Sequence, residues 1–186
     1  MKHVVMRYSE ARPLLADGDV LLFRSRGWIW SLIAVAGRSH YTHAAMVGRW
    51  RRRVMCVEMT GGGGRAQSLS NLVERWPGTI DVYRTREIPV VKRLRAVDYM
   101  IDVTARPYGR WNLLRASLLH LPVVRCFANP SLDDAEDDRR PMFCSQAIAS
   151  AYRSVGFDLV PNLCDRLTEP GDLARSALLE YQFTLI

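Results

Sequence analysis

The chain has 186 residues, which is long enough for one domain with a hydrophobic core and short for two. Hydrophobic residues make up 48% of the chain and charged residues 24%, a composition that excludes an intrinsically disordered protein. Lys and Arg outnumber Asp and Glu by 26 to 19, but no zinc-finger or aromatic-basic pattern accompanies this excess. We therefore expect a single domain over residues 1–186 with no specific nucleic-acid partner.

The start of the chain and its cysteines indicate a compartment. The first 19 residues lack the apolar core of a signal peptide, and the four cysteines form no CxxC or disulfide pattern. These observations predict a cytoplasmic protein with reduced thiols. Cys56 falls inside a predicted strand and is expected in the core, whereas Cys126 and Cys164 flank loops and indicate no role.

The first third of the chain alternates between predicted strands and a helix. A strand is predicted at residues 19–23 and a buried, glycine-bounded helix at 27–37. The apolar part of that helix is far shorter than the roughly 20 residues of a membrane span, although contact with a membrane surface is an alternative. Two strands, 41–47 and 54–59, follow and are joined by an Arg-rich loop over 49–53.

The remaining segments add helices around further strands. Four glycines at 61–64 predict a flexible connection, with a substrate-contacting flap as the alternative. The elements after it are a helix at 66–75, a strand at 79–83, helices at 89–105 and 111–121, an exposed acidic loop at 129–140, a helix at 142–155 and a strand at 178–186. Much of the apolar side of the helix at 89–105 is expected to consist of Leu94, Val97, Ile101 and Val103. This arrangement predicts an α+β fold.

Cys144 is the first candidate for chemistry. It precedes Ala147, Ile148 and Ala151, whose spacing predicts a helix with Cys144 in its first turn. The N–H groups and partial positive charge of a helix N-terminus favour the nucleophilic thiolate and can stabilise an oxyanion. A small buried core residue is the alternative, because most free cysteines are buried.

His43 is the candidate base. In a hairpin closed symmetrically over residues 48–53, Val47 pairs with Val54 and His43 pairs with Glu58. Directly opposed Cβ atoms lie about 4.5–5.5 Å apart, so Glu58 would hold one ring nitrogen and leave the other for a thiol. A slip of two residues would make the pair diagonal but still within reach. The alternative is an exposed cross-strand ion pair.

Weaker candidates surround these residues. Tyr41 is predicted to share a strand face with His43, where it would line the cleft or assist the oxyanion. Ser145, beside Cys144, is a second substrate or oxyanion candidate. His40 and His43 have an HxxH spacing, but no further ligand pair follows, so neither a metal nor another cofactor is expected.

Five motifs, in order along nearly the whole chain, resemble those of a known group. They are DGDVLLF (17–23), SHYTHAAMV (39–47), VE (57–58) with the glycines after it, FCSQ (143–146) and TEPGDLA (168–174). With them the sequence resembles the permuted NlpC-like, papain-fold cysteine hydrolases, particularly the bacterial YiiX-like proteins. In the permuted group the histidine strand precedes the cysteine helix, as here. The run of four glycines after Met59-Thr60 is looser than that pattern.

The resemblance implies both a fold and an activity. The fold would be a circularly permuted papain-like one, with a central antiparallel sheet or partial barrel packed against helices. Cys144 would be the nucleophile, His43 the base and Glu58 the polar third member. The implied function is a thiol hydrolase or acyltransferase that cleaves an amide, ester or thioester bond in a cell-wall peptide or lipid-linked substrate. A non-catalytic binding protein on the same scaffold is the alternative.

Overall fold

A seven-stranded sheet organises the structure, a computed structural model that describes residues 4–24, 39–104, 142–161 and 163–186. In chain order the strands are β1 (Val5–Met6), β2 (Val20–Arg24), β3 (Tyr41–Trp50), β4 (Arg53–Thr60), β5 (Gly63–Ser68), β6 (Thr79–Thr85) and β7 (Leu179–Leu185). They lie side by side in the order β1-β7-β6-β2-β3-β4-β5. Neighbouring strands are antiparallel except β1 and β7, which are parallel and bring the two ends of the chain together.

Helices accompany the sheet, so the predicted α+β class is confirmed. They are α1 (Tyr8–Ala11), α2 (Leu69–Arg75), α3 (Val90–Val103), α4 (Cys144–Arg153), a 3₁₀ helix (Asp165–Leu167) and α5 (Pro170–Arg175). None of the helices in the described ranges is long and apolar enough to cross a membrane. The segments predicted at 27–37, 111–121 and 129–140 lie outside the described residues.

Alternate residues of the sheet build two separate hydrophobic clusters. In β2, Val20 and Leu22 belong to one cluster, and Leu21 and Phe23 belong to the other, as the period of two in a strand requires. Buried residues of α3 and α4 complete the first cluster, whereas α1 and α2 contribute to the second. The sheet is therefore covered on both faces, with α4 packed on the first.

The hairpin between β3 and β4 is longer than predicted. Strand pairing continues through the Arg-rich run to the pair of Trp50 and Arg53, so the two residues between them form the turn. Arg51, the first of these, has a φ of 55°, the left-handed conformation that two-residue hairpin turns use. The loop predicted over 49–53 is therefore wrong, because the arginines extend both strands and keep their charges at the exposed end of the hairpin.

The four glycines form a second hairpin. Residues 61 and 62 make the turn and β5 begins at Gly63, so the run is not the loose connection predicted. Gly64 lies close to the end of α3: a Cβ placed on it would be 2.2 Å from Cα of Thr104. A residue with a side chain does not fit between the two backbones, which explains a glycine at this position.

Two helices differ in detail from the prediction. The helix predicted at 66–75 begins only at Leu69, because residues 66–68 pair with β4 as part of β5. In α3, Leu94 is 42% exposed rather than buried. The side of α3 that faces the core instead consists of Ala96, Val97, Met100 and Val103.

Candidate active site

The N-terminal end of α4 brings Cys144 against β3. Phe143 precedes the helix in an extended conformation, and no side chain caps the first turn. The sulfur of Cys144 accepts hydrogen bonds from the backbone N–H groups of Ser145 and Ala44. Since Ala44 belongs to β3, these contacts tie the nucleophile candidate to its own helix and to the sheet, and they supply two donors to a thiolate.

β3 can accept this contact because its ladder with β4 stops early. The paired residues run from the turn only as far as Met46 and Val57, although both strands continue. Beyond that pair, β3 keeps its antiparallel ladder with β2. The separation of β3 from β4 opens the edge at which Cys144 meets the N–H of Ala44.

His43 lies between Cys144 and Glu58. Its Nε2 is 2.6 Å from Oε2 of Glu58, and the imidazole also hydrogen-bonds Cys144, so Nδ1 is the nitrogen that remains for the sulfur. The ring packs on Phe23 with their centroids 5.1 Å apart. Three contacts therefore set the orientation of the ring, and the structure brings together all three residues predicted to form the site.

The contact between His43 and Glu58 is diagonal rather than direct. Val47 pairs with Cys56, which shifts the ladder by two residues from the predicted register, because the turn is centred on residues 51 and 52 rather than on 50 and 51. Extended by one residue beyond the last pair, Met46 and Val57, this register would place Ala45 opposite Glu58, so His43 is offset from Glu58 by two residues along β3. A glutamate side chain spans such a diagonal.

Charges and hydrogen bonds stabilise ionised forms of all three groups against the effect of burial. Burial alone would lower the pKa of His43, but Cys144 and Glu58 raise it to about 10. Burial alone would raise the pKa of Cys144, but His43 and the two backbone N–H groups lower it below its ordinary value of 9.0. The pKa of Glu58 is likewise lowered despite burial, mainly by His43 and then by Arg65. The geometry thus favours a thiolate, an imidazolium and a carboxylate in a row.

Two residues missed by the sequence analysis complete the surroundings of Glu58. Nε of Arg65 and Nε2 of Gln67 donate to Oε1 of the carboxylate at 2.8 and 2.6 Å. The helix predicted over 66–75 concealed Gln67, and Arg65 fell between that helix and the predicted glycine connection. Polar residues at 65 and 67, following a glycine turn after the strand of Glu58, are the alternating signal that could have revealed them.

Tyr41 does not share a face with His43. Phe23 pairs with His43 and Arg24 pairs with Tyr41, so Thr42 is an extra residue in β3. Such a bulge reverses the alternation of side chains. Tyr41 consequently packs in the cluster covered by α3 and α4, whereas His43 packs on Phe23 of the other cluster.

The hydroxyl of Tyr41 is part of a polar group around the buried Asp81. It donates to Asp81 at 2.5 Å and lies 3.0 Å from the hydroxyl of Tyr83. Asp81 also accepts a hydrogen bond from Thr184 and forms an ion pair with Arg24. Burial and the hydrogen bond to Asp81 raise the pKa of Tyr41. The proton of Tyr41 is thus directed to Asp81, which argues against the predicted oxyanion role.

Ser145 also has a structural contact. Its fully buried hydroxyl donates to the carbonyl oxygen of Thr168 at 2.8 Å, and the hydroxyl of Thr168 donates to the carbonyl of Cys164. These bonds fix the segment around the 3₁₀ helix to the start of α4, where Cys164 packs in one cluster with Cys144. The side chain of Ser145 therefore positions the helix, and only its N–H reaches the sulfur.

The remaining candidates carry no chemistry in the described residues. Cys56 is fully buried in the core, as predicted, and burial raises its pKa. His40 is exposed, and no three His, Cys, Asp or Glu side chains in the described ranges are grouped so that they could hold a metal ion. Cys126 lies outside the described residues.

Comparison with known proteins identifies the fold. No protein-family model and no curated protein matches the chain. The crystal structure of the metalloprotein YiiX from Escherichia coli O157:H7, described as DUF1105, superposes with a TM-score of 0.64 at 15% sequence identity. The match covers 90% of this chain and 96% of that one. The chain therefore has a YiiX-like α+β fold.

Proposed function

We propose that this protein is a thiol hydrolase or acyltransferase that acts through a Cys144 acyl-enzyme. The observation that carries the proposal is the bridging position of His43, which hydrogen-bonds Cys144 on one side and Glu58 on the other. Nucleophile, base and orienting group in this sequence of contacts are the arrangement of acyl-transfer sites. Because the strands of His43 and Glu58 precede the helix of Cys144 in the chain, the scaffold would be a circularly permuted papain-like one.

The residues would act in two steps. The Cys144 thiolate attacks a carbonyl carbon, a C–S bond forms, and an electron pair moves to the carbonyl oxygen. When the tetrahedral intermediate collapses, the bond to the leaving group breaks and the His43 imidazolium gives that group its proton. His43 then takes a proton from water or another acceptor, which attacks the thioester and releases the Cys144 thiolate. Glu58 keeps the ring oriented and stabilises its charged form throughout.

The oxyanion would be stabilised by the start of α4. The first N–H groups of a helix have no partner within it and carry its positive dipole end. In α4 no side chain caps this turn. The backbone N–H of Cys144 itself, in the first turn of α4, is the donor that we propose for the oxyanion.

The designation of YiiX as a metalloprotein raises the question of a metal in this chain. Both carboxylate oxygens of Glu58 already have hydrogen-bond partners, and the guanidinium of Arg65 lies beside one of them. Cys144 and His43 are then the two candidate ligands left in the site, and they bond each other. This donor set in the described residues does not fit a metal ion, so we propose no step through one.

The substrate class follows from the chemistry. A thiolate with an adjacent imidazolium can attack amides, esters and thioesters, so cell-wall peptides and lipid-linked acyl groups are the substrates that we propose. Intact-mass measurement after incubation with acyl esters, an acyl thioester and short peptides distinguishes them. We expect a mass increase equal to the acyl group, located on Cys144 by peptide mapping.

Matched variants decide whether the adduct reports catalysis. Cys144→Ala should abolish the adduct, whereas Cys56→Ala should retain it because Cys56 is buried and has a raised pKa. Equal adducts in both variants would refute the proposed nucleophile. A reactive Cys144 that accepts no acyl group from any compound would instead favour the non-catalytic binding protein.

Glu58→Gln tests the order of importance within the site. Cys144→Ala and His43→Ala should each cost nearly as much turnover as the double variant, because they act together. Glu58→Gln should cost less, but should move the alkaline limit of kcat/KM to lower pH because Glu58 helps to raise the pKa of His43. The measurement is a pH profile with the compound that gives the adduct. An unchanged alkaline limit would contradict the role of Glu58.

A further inference from the structure

Both carboxylate oxygens of Glu58 take part in hydrogen bonds. Oε2 faces His43, whereas Oε1 accepts one hydrogen bond from Arg65 and one from Gln67. The Glu58 side chain is only 2% exposed, so a carboxylate oxygen without a hydrogen-bond donor would lose its hydration without compensation. The two donors on β5 therefore hold one oxygen of the carboxylate, so that the other is directed at the imidazole.

The position of these donors follows from the β4–β5 ladder. Arg65 is directly opposite Glu58, and Gln67 is directly opposite Cys56, two residues before Glu58 on the same face. Alternate residues of β5 thus converge on one carboxylate. The close approach of Gly64 to Thr104 at the end of α3 holds this strand in place from the other side.

We propose that Arg65 and Gln67 are positioning residues that lock the Glu58 carboxylate in the orientation that stabilises the His43 imidazolium. The inference rests on the proposed function, since it concerns the same site. Neither residue bonds Cys144 or His43 in the structure; both act through Glu58. The Arg65 side chain is 55% exposed, so it anchors the buried carboxylate from the surface.

A change in the pKa of His43 separates positioning from a simple charge effect. Removal of the Arg65 charge alone would remove its repulsion of the imidazolium and would therefore raise the pKa of His43. Loss of positioning has the opposite effect, because a carboxylate that turns away no longer supports the imidazolium. The direction of the shift therefore discriminates between the two explanations.

The experiment is an NMR titration of His43 in ¹⁵N-histidine-labelled full-length protein, with the His43→Gln variant used to assign the signal. The variants are Arg65→Met, Gln67→Met, their double variant and the conservative Arg65→Lys. We expect the double variant to lower the pKa of His43 by about one unit or more and Arg65→Lys to restore most of it. Arg86→Met is the matched control, because Arg86 pairs with Glu180 at a similar side-chain exposure of 51%.

The outcomes separate the two proposals. An unchanged or raised His43 pKa in the double variant would overturn the positioning role while leaving the proposed catalytic pair intact. If His43 of the unaltered protein titrates near its ordinary 6.5, no imidazolium is stabilised and the positioning role is overturned, whereas the acyl-adduct measurement on Cys144 decides the proposed function separately. Should the double variant fail to fold, the shift in Arg65→Met alone decides, with thermal unfolding measured alongside.

Discussion

At the scale of single residues, the site depends on one imidazole ring with three neighbours. His43 packs on Phe23, bonds Glu58 through Nε2 and bonds Cys144 with its remaining nitrogen. Only 16% of its side chain is exposed, so solvent screens these interactions weakly. A buried histidine would ordinarily be neutral. Here the two anionic partners outweigh burial and favour the charged ring.

The first prediction concerns the reactivity of the cysteines. The pKa of Cys144 is lowered by His43, whereas burial raises that of Cys56. Below both pKa values, each unit of difference changes the thiolate fraction about tenfold. We therefore expect iodoacetamide at pH 7 to label Cys144 at least about tenfold faster than Cys56, as measured by site-resolved mass spectrometry. Equal rates would show that Cys144 is not activated.

The second prediction is that the contribution of Cys144 and His43 together to the unfolding free energy is constant over a range of pH. His43 has a raised folded pKa, so its contribution is full below 6.5 and is lost as the pH rises through about 10. Cys144 has a lowered folded pKa, so its contribution is full above 9.0 and is lost as the pH falls through its folded value. Between 6.5 and 9.0 the two trends cancel, because the folded pair and the unfolded groups bind the same number of protons.

Urea unfolding of the unaltered protein and of the Cys144→Ala/His43→Ala double variant measures this contribution. The difference in unfolding free energy should be constant from pH 6.5 to 9.0 and smaller on either side. A difference that rises or falls steadily across that window would show that only one of the two groups is charged in the folded protein.

At the scale of elements, the β4–β5 hairpin holds the part of the site that the sequence concealed. β5 carries the donors to Glu58, yet it has few large apolar side chains and contains two glycines. Its place is set by the ladder to β4 and by the contact of Gly64 with Thr104 rather than by burial of its own side chains. A small change at the contact between Gly64 and Thr104 should therefore also disturb the hydrogen bonds that β5 donates to Glu58.

The third prediction follows from this contact. Gly64→Ala places a Cβ 2.2 Å from Cα of Thr104, so β5 or the end of α3 must move. We expect a loss of about 1–3 kcal/mol of unfolding free energy, typical of overpacking, together with a lowered His43 pKa. Gly61→Ala is the matched control, since its Cβ would meet no described atom within 4 Å. Equal urea midpoints for the two variants would contradict the close approach.

Strand existence was easier to predict than strand register. The segments around β2, β3, β4, β6 and β7 were recognised because alternation is encoded within a few neighbouring residues. The turn at Arg51 was not, because an arginine in the left-handed conformation has no strong local signal. That one turn shifted the ladder by two residues, and the bulge at Thr42 reversed the face of Tyr41.

At the scale of the whole molecule, α4 joins distant parts of the chain. Cys144 at its start contacts β3, and near its end the hydroxyl of the fully buried Tyr152 donates to the carbonyl oxygen of Gly18, just before β2. The last quarter of the chain is thus anchored to the sheet at both ends of one helix. The alignment of nucleophile and base depends on this docking.

The fourth prediction tests the hydrogen bond between Tyr152, near the end of α4, and the carbonyl oxygen of Gly18. Tyr152→Phe removes the buried donor and leaves the carbonyl of Gly18 without it, which should cost about 1–3 kcal/mol of unfolding free energy. Tyr181→Phe is the comparison, because the hydroxyl of Tyr181 donates to Val4 in an exposed position where water can replace it. Urea unfolding measures both. A Tyr181→Phe variant that loses as much stability as Tyr152→Phe would contradict the anchoring role.

The sequence by itself determined the α+β class, most strand positions and the identity of Cys144, His43 and Glu58 as a group. The class and the strand positions rest on periodicity, which is a local property of the chain, whereas the grouping of Cys144 with His43 and Glu58 rests on the motifs that resemble those of a known family. Only the tertiary structure decided the register of β3 on β4, the place of Tyr41 beside Asp81, and the recruitment of Arg65 and Gln67 to Glu58. These features depend on which backbone groups pair across turns and bulges, and on the need of a buried carboxylate for donors, so residues distant in the chain set them together.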